Sequence, residues 1–356
     1  MYSLMSKKLF EAKHWEPLGN GKVRCKLCYR YCIIDNGNVG ACGVRKNIDG
    51  KLYSLVYGKL TSANIDPIEK KPLFHFNPGA GVLSISTVGC NFKCRFCCNW
   101  VISQMRDIVG RTTTPEEVVD WAIRYGVNGI SYTYNEPTIF YEFMLDTAKI
   151  AKKHGLFNTM VTNGYITPEA LEELAPYMDA ATVDFKGSGN VKFYRKFMSV
   201  PDPTPIYTTL LEMKRHSIFI EITNLIVPEV GDSMDDLRKL TRWIVENLGE
   251  ETPFHVLRFH PDYQMTEYPP TPVSTLEKAA KVALEEGLKY VYIGNVPGHK
   301  LEHTYCPECK TLLIRRFGFE ILEWNLTDNM TCPKCGYKVN IKGKRHYSRS
   351  LWAALI

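Results

Sequence analysis

The residues with the clearest chemical potential are cysteines. All twelve fall in three tight groups: Cys25, Cys28, Cys32 and Cys42; Cys90, Cys94, Cys97 and Cys98; and Cys306, Cys309, Cys332 and Cys335. Thiols two or three residues apart suit one metal ion or cluster better than disulfides between distant segments, and a cytosolic chain keeps its thiols reduced. In the middle group, within "GCNFKCRFCCNW", the spacing is Cys-x-x-x-Cys-x-x-Cys. Three thiolates on one short loop can hold three irons of a four-iron cluster and leave the fourth open to a substrate or cofactor. Tetrahedral zinc would want a fourth protein ligand, and this loop contains no histidine. Cys98 allows a second register through Cys90, Cys94 and Cys98, but it cannot easily aim at the same ion as Cys97.

The C-terminal group reads as two knuckle turns, "CPEC" and "CPKCG", separated by 22 residues. It predicts a four-Cys ribbon, with zinc favoured over rubredoxin-type iron and a structural or docking role. We expect such a ribbon to be separable, so that a chain cut near His303 keeps the central chemistry. The N-terminal group spans 18 residues. It could close a zinc site or ligate an auxiliary iron–sulfur cluster; the reading leans slightly to zinc.

Elements must position these loops. Within residues 1–76, "KNIDGKLYSLVYGKL" reads as a hairpin turning at Asp49-Gly50. "NPGAG" is a Gly/Pro joint. Over residues 77–300, β-rich runs ("VLSIST", "GISYTY", "FNTMVT", "AATVDF", "FIEITNLIV", "FHVLRF", "YVYIG") alternate with amphipathic stretches. One of these opens with a Thr114 cap, Pro115 at the first helical position and Glu116 and Glu117 in the first turn. Alternation of this kind implies parallel strands with crossover helices, and six repeats plus a last strand suit a partial (β/α)6 barrel. Several strands end in polar groups: Cys90, Asn135-Glu136, Thr162-Asn163-Gly164, Asp184 with Lys186, His260 and Asn295. In barrels that is where chemistry sits. Residues 301–356 hold the ribbon and a basic tail.

Cys-x-x-x-Cys-x-x-Cys after the first strand of such a barrel resembles the radical S-adenosylmethionine (SAM) superfamily. The resemblance implies a [4Fe-4S] cluster on Cys90, Cys94 and Cys97, whose open iron chelates S-adenosylmethionine. Reductive cleavage then gives a 5′-deoxyadenosyl radical that abstracts hydrogen from a substrate. "TYNEPT" resembles the Gly-Gly-Glu motif, which gives Glu136 the methionine ammonium, although Tyr134 and Asn135 replace the glycines. "DFKG" and "RFHP" resemble motifs of glycyl-radical activating enzymes, bringing Asp184, Lys186 and His260 to the S-adenosylmethionine carboxylate and ribose. "VTNG", containing Asn163, matches their Asp-Thr-Asn-Gly, with Val161 where an Asp would help bind a monovalent cation.

Over nearly the whole chain, "KVRCKLCYRYC", "DPIEKKPLFHF", "STVGCNFKCRFC" and "IGNVPGH" resemble the radical SAM enzymes of the AmmeMemoRadiSam system, relatives of pyruvate formate-lyase activating enzyme. That resemblance implies an anaerobic oxidoreductase. It also implies an electron donor such as ferredoxin or flavodoxin, an unknown protein or small-molecule substrate, and Memo-like and AMMECR1-like proteins as candidate partners.

Composition bounds the alternatives. With 356 residues, 45% hydrophobic and 23% charged, the chain reads as an ordinary globular protein with one large domain and small additions. No apolar run suggests a membrane span, and the N-terminus lacks a signal-peptide pattern, so the expectation is cytoplasmic. The net charge is +6, and the basic tail "IKGKRHYSR" reads as a solvated end rather than a nucleic-acid arm. Two alternatives are an RNA-modifying radical enzyme using the ribbon and tail as a handle, and a non-enzymatic multi-zinc scaffold.

Overall fold

A computed structural model describes residues 9–347. Ser348 and Arg349 of the basic tail, and the ends of the two outer segments, lie outside the described residues. Seven parallel strands form the centre: β1 (Gly81–Ser86), β2 (Gly129–Tyr132), β3 (Phe157–Thr162), β4 (Ala180–Lys186), β5 (Phe219–Ile226), β6 (Phe254–Arg258) and β7 (Val291–Gly294). They pair strictly in chain order. The crossover helices are α1 (Pro115–Arg124), α2 (Tyr141–Lys153), α3 (Pro168–Leu174), α4 (Val191–Met198), α5 (Thr204–Arg215), α6 (Met234–Asn247) and α7 (Val273–Glu285). Right-handed crossovers that always step the same way put every helix on one face, so the sheet curls into a partial barrel.

Helix α1 starts as its sequence dictates. Thr114 Oγ1 accepts from Glu117 N at 3.2 Å, and Glu117 Oε2 accepts from Thr114 N at 2.8 Å, closing a capping box. The hairpin Arg45–Ile48/Lys51–Ser54 turns at Asp49-Gly50, whose φ values of +50° and +79° suit a tight hairpin turn.

Two features extend the sequence reading. Ser62–Pro67 is an eighth strand, antiparallel to β1 at the sheet edge. Residues 68–76 then enter the barrel from the N-terminal ends of the strands. Thr182 on β4 donates to Lys71 O, and Glu221 on β5 accepts from His75 N at 2.7 Å. His75 Nε2 meets Tyr292 OH at 2.6 Å, and Glu221 Oε2 meets His255 Nε2 at 2.8 Å.

The four-Cys ribbon packs onto this plug. Arg316, 1% exposed, lies 4.4 Å over the Phe74 ring and donates to Phe74 O at 3.1 Å. One apolar cluster combines Phe74, Tyr290 and Tyr292 with Leu313, Ile314 and Val339 of the ribbon. The ribbon thus shares an apolar cluster with the plug and the start of β7, a cluster distinct from the main core of the barrel. Among the described residues no helix is long and apolar enough to cross a membrane.

Candidate active site

Parallel strands share polarity, so every polar strand end of the sequence reading arrives at one mouth. The cysteine loop after β1 is fixed by the aromatics beside its thiols. Phe92, 1% exposed, meets the Tyr165 ring edge-on at 5.1 Å, and Phe96 lies 5.7 Å from Phe193. Lys93 N and Arg95 N donate to Met198 O and Phe197 O at the end of α4 (3.0 and 2.8 Å). Trp100 stacks on Tyr263 of the loop after β6 at 5.0 Å.

Within this frame Cys94 is buried, Cys90 and Cys97 are half-buried and Cys98 is exposed. Phe92 N donates to Cys90 Sγ at 3.4 Å, and Cys97 Sγ lies 3.2 Å from Ser103 Oγ. Burial pushes the Cys90 thiol up to about 12, with the Glu136 carboxyl adding to the effect, and burial also holds the Cys94 thiol well above its ordinary value. A metal takes the place of such protons when it binds.

On one side of the loop stands Glu136, 3% exposed. Its Oε1 accepts from Thr138 N (3.0 Å), Thr138 Oγ1 (2.6 Å) and Thr162 Oγ1 (2.8 Å), and its Oε2 accepts from Asn163 N (2.7 Å). Burial pushes this carboxyl above its ordinary value although four donors oppose it. Oε1 is fully engaged, whereas Oε2 retains capacity for one further donor. Asn163 Nδ2 donates to Asn91 Oδ1 at 2.8 Å, linking β3 to the cysteine loop.

The departures from Gly-Gly-Glu are accommodated. Tyr134 adopts φ +67°, the left-handed conformation that favours glycine, and its hydroxyl donates to Asp66. Asn135 Nδ2 clamps Thr87 O (2.7 Å) and Gly89 O (2.9 Å), while its Oδ1 is buried with no hydrogen-bond partner. Sequence reasoning missed this clamp; its signal was an amide directly before the acid.

On the other side, Lys186 Nζ donates to Asp184 Oδ2 at 3.0 Å, and Asp184 Oδ1 accepts from Thr223 Oγ1. The pair is 18% and 28% exposed, so it borders the mouth rather than a sealed core. Burial would push the Lys186 ammonium down, but Asp184 and the sulfurs of Cys94 and Cys97 hold it above its ordinary value. His260 follows β6 and is exposed.

The other two groups lie outside this mouth. Cys306, Cys309, Cys332 and Cys335 converge so that all their sulfurs lie within 4.8 Å of one another, with 3.5 Å for Cys306–Cys335 and for Cys309–Cys332. Their ribbon contacts residues preceding β1, β6 and β7, where Lys342 N donates to His75 O and Tyr337 OH donates to Glu251, and its Phe317 also lies beside Gly298, after β7. Cys25, Cys28, Cys32 and Cys42 surround a cavity behind the cysteine loop.

The donor set fits an iron–sulfur cluster and an amino-acid cosubstrate. Three thiols share one loop, an orphaned amide oxygen and a carboxylate oxygen with spare capacity can take an ammonium, and the opposite side carries a lysine. Residues 84–244 match the family described as Radical SAM superfamily. A protein of Methanocaldococcus jannaschii described as uncharacterized is 51% identical over 93% of this chain and 99% of its own length. Pyruvate formate-lyase-activating enzyme of Clostridium pasteurianum is 24% identical over 56% of this chain and 87% of its own. Streptococcus suis SuiB bound to S-adenosylmethionine superposes with a TM-score of 0.48 at 16% identity, covering 64% of this chain and 55% of that one. With its cysteine loop after the first strand of a partial barrel and an acid at the end of the second, the chain belongs to the radical SAM superfamily.

Proposed function

We propose that the chain is a radical SAM oxidoreductase similar to glycyl-radical activating enzymes, drawing single electrons from a ferredoxin- or flavodoxin-type donor. Cys90, Cys94 and Cys97 would hold a [4Fe-4S] cluster. When bound, that group supplies reductive cleavage of S-adenosylmethionine to methionine and a 5′-deoxyadenosyl radical for hydrogen abstraction from a protein or small molecule. Glu136 Oε2 and Asn135 Oδ1 receive the ammonium of the methionine end, and Lys186, oriented by Asp184, faces its carboxylate. His260, free in solvent, turns to the ribose. Phe92 and Phe96 anchor the loop so that Cys94 points away from water. The ribbon thiols hold zinc as a structural ion.

One observation carries this reading: a single mouth combines three sheltered thiols on one loop with Glu136–Asn163 on one side and Asp184–Lys186 on the other. The test is anaerobic reconstitution with iron and sulfide, followed by assay of 5′-deoxyadenosine with an artificial reductant. Cys94→Ala should abolish product and lower bound iron, whereas Cys98→Ala should keep both. Equal damage from Cys98→Ala and Cys97→Ala would refute the ligand assignment.

A further inference from the structure

Four cysteines take no part in the site above. Cys25 and Cys42 are buried, and Cys28 and Cys32 half-buried, around one cavity. Arginines 30 and 45 are the charged residues in its wall, and no carboxylate lines it. Two other lining groups are orphaned: Arg45 Nε and Asn91 Nδ2 are buried N–H donors with no hydrogen-bond partner. A buried donor left unpaired costs about 1–3 kcal/mol, so acceptors are wanted here, and the sulfurs of a bound group are acceptors. Gly40 keeps the room open: a Cβ there would lie 3.6 Å from Cys32 Sγ and 3.2 Å from Ile34 Cδ1.

Sulfur spacing separates the two candidate occupants. Zinc binds each thiolate at about 2.3 Å, which draws all four sulfurs close around one point. The ribbon cysteines show that convergence, and among the described residues they are the one group of three or more metal-ligating side chains that does. The N-terminal four stand wider, as do the central three. Wide spacing is what a cluster needs, because its thiolates sit on separate irons. This wider spacing supports the cluster rather than the zinc toward which the sequence leans.

The cavity also abuts the central loop. Asn91, which lines it, directly follows Cys90. A Cβ on Gly89, at φ +94°, would lie 2.8 Å from Cys42 O and 2.6 Å from Val44 Cγ1. Only glycine allows the two loops to touch this closely. We propose that Cys25, Cys28, Cys32 and Cys42 hold a second iron–sulfur cluster in this cavity, adjacent to the SAM-binding one.

The test counts metal in the anaerobically reconstituted full chain. Iron and sulfide should each reach about six or eight per chain, four from the central site plus two or four from this one, with about one zinc. Replacing Cys90, Cys94 and Cys97 together by alanine should leave about two or four irons and a brown protein that gives an electron paramagnetic resonance signal on reduction. This result is independent of the proposed activity. Cys25→Ser with Cys28→Ser should remove the same increment. In the doubly reduced wild type, adjacent clusters should broaden each other's signals. About four irons with two zinc ions in the full chain, or a colourless triple variant, would overturn the proposal, and two unperturbed signals would overturn the adjacency.

Discussion

Replacing Glu136 by Gln tests the mouth because the four donors on this carboxylate are of two kinds. Thr138 Oγ1 and Thr162 Oγ1 are hydroxyls and can rotate to accept. Thr138 N and Asn163 N cannot, and one backbone N–H faces each carboxylate oxygen. Whichever way a glutamine amide is turned, its NH2 meets a backbone N–H. The unpaired buried donor costs about 1–3 kcal/mol, and loss of the charge facing an ammonium costs about 1.5–3 kcal/mol of binding. At about 1.4 kcal/mol per decade, Kd for S-adenosylmethionine should rise by about one to two decades. Calorimetric titration of reconstituted protein gives the Kd, and thermal unfolding of the same sample should show a midpoint lower by a few degrees. Bound iron should stay unchanged, because Glu136 is not a ligand. A lowered midpoint with unchanged Kd would limit Glu136 to positioning Asn163 and leave the ammonium to Asn135 Oδ1. If neither quantity moves, the hydrogen-bond reasoning is wrong.

Three further outcomes follow from particular contacts. Gly89→Ala should destabilise the protein by more than about 1 kcal/mol, because its Cβ would strike backbone and side chain of the N-terminal segment at a positive φ; denaturant titration measures this, and a neutral effect would contradict the packing. Burial pushes His75 down from 6.5 to about 4, so the unfolded chain takes up this proton first as pH falls. Stability should be full above about pH 6.5 and about 3 kcal/mol lower by pH 4, and His75→Gln should flatten that part of the pH dependence of the thermal midpoint. Truncation near His303 should expose Phe74, Tyr290 and Tyr292, each contributing about 1.5–3 kcal/mol when buried; a truncated chain unfolding at the full-length midpoint would refute the shared core.

The parts legible in the sequence are those with a strong local period. Seven strands were readable because each β-rich run alternates with an amphipathic helix whose capping residues are local, as at Thr114 and Pro115. The polar strand ends were readable because parallel strands share polarity, which brings residues 46 apart, such as Cys90 and Glu136, to one mouth. The strand Ser62–Pro67 was not readable: in "SANIDP" the short alternation of Ala63 and Ile65 does not mark a buried face, since Asp66 is the buried residue and Ala63 is exposed, and its place depends on pairing with β1 at a sheet edge. Tyr134 was read as a departure from glycine because its left-handed φ is held by distant partners. Asn99 Nδ2 donates to its carbonyl at 2.7 Å, and Asp66 receives its hydroxyl.

The seat of the ribbon was not readable for the same reason. Knuckle spacing reveals a metal-binding fold but not the surface it rests on. Here that surface is polar and deep. Arg316 enters a pocket of the plug, Tyr292 joins His75 to Thr304 (2.6 and 2.9 Å), and Glu221 holds His255 and His75 together. The elements carrying these groups lie far apart in sequence, and each group is buried. Removing one would leave its neighbours unpaired where no water can compensate. The N-terminal plug, the ends of β5, β6 and β7 and the ribbon therefore form one cooperative unit at the base of the barrel. A metal lost from the ribbon would be felt by β5, which pairs along its length with β4, the strand that ends in Asp184 and Lys186.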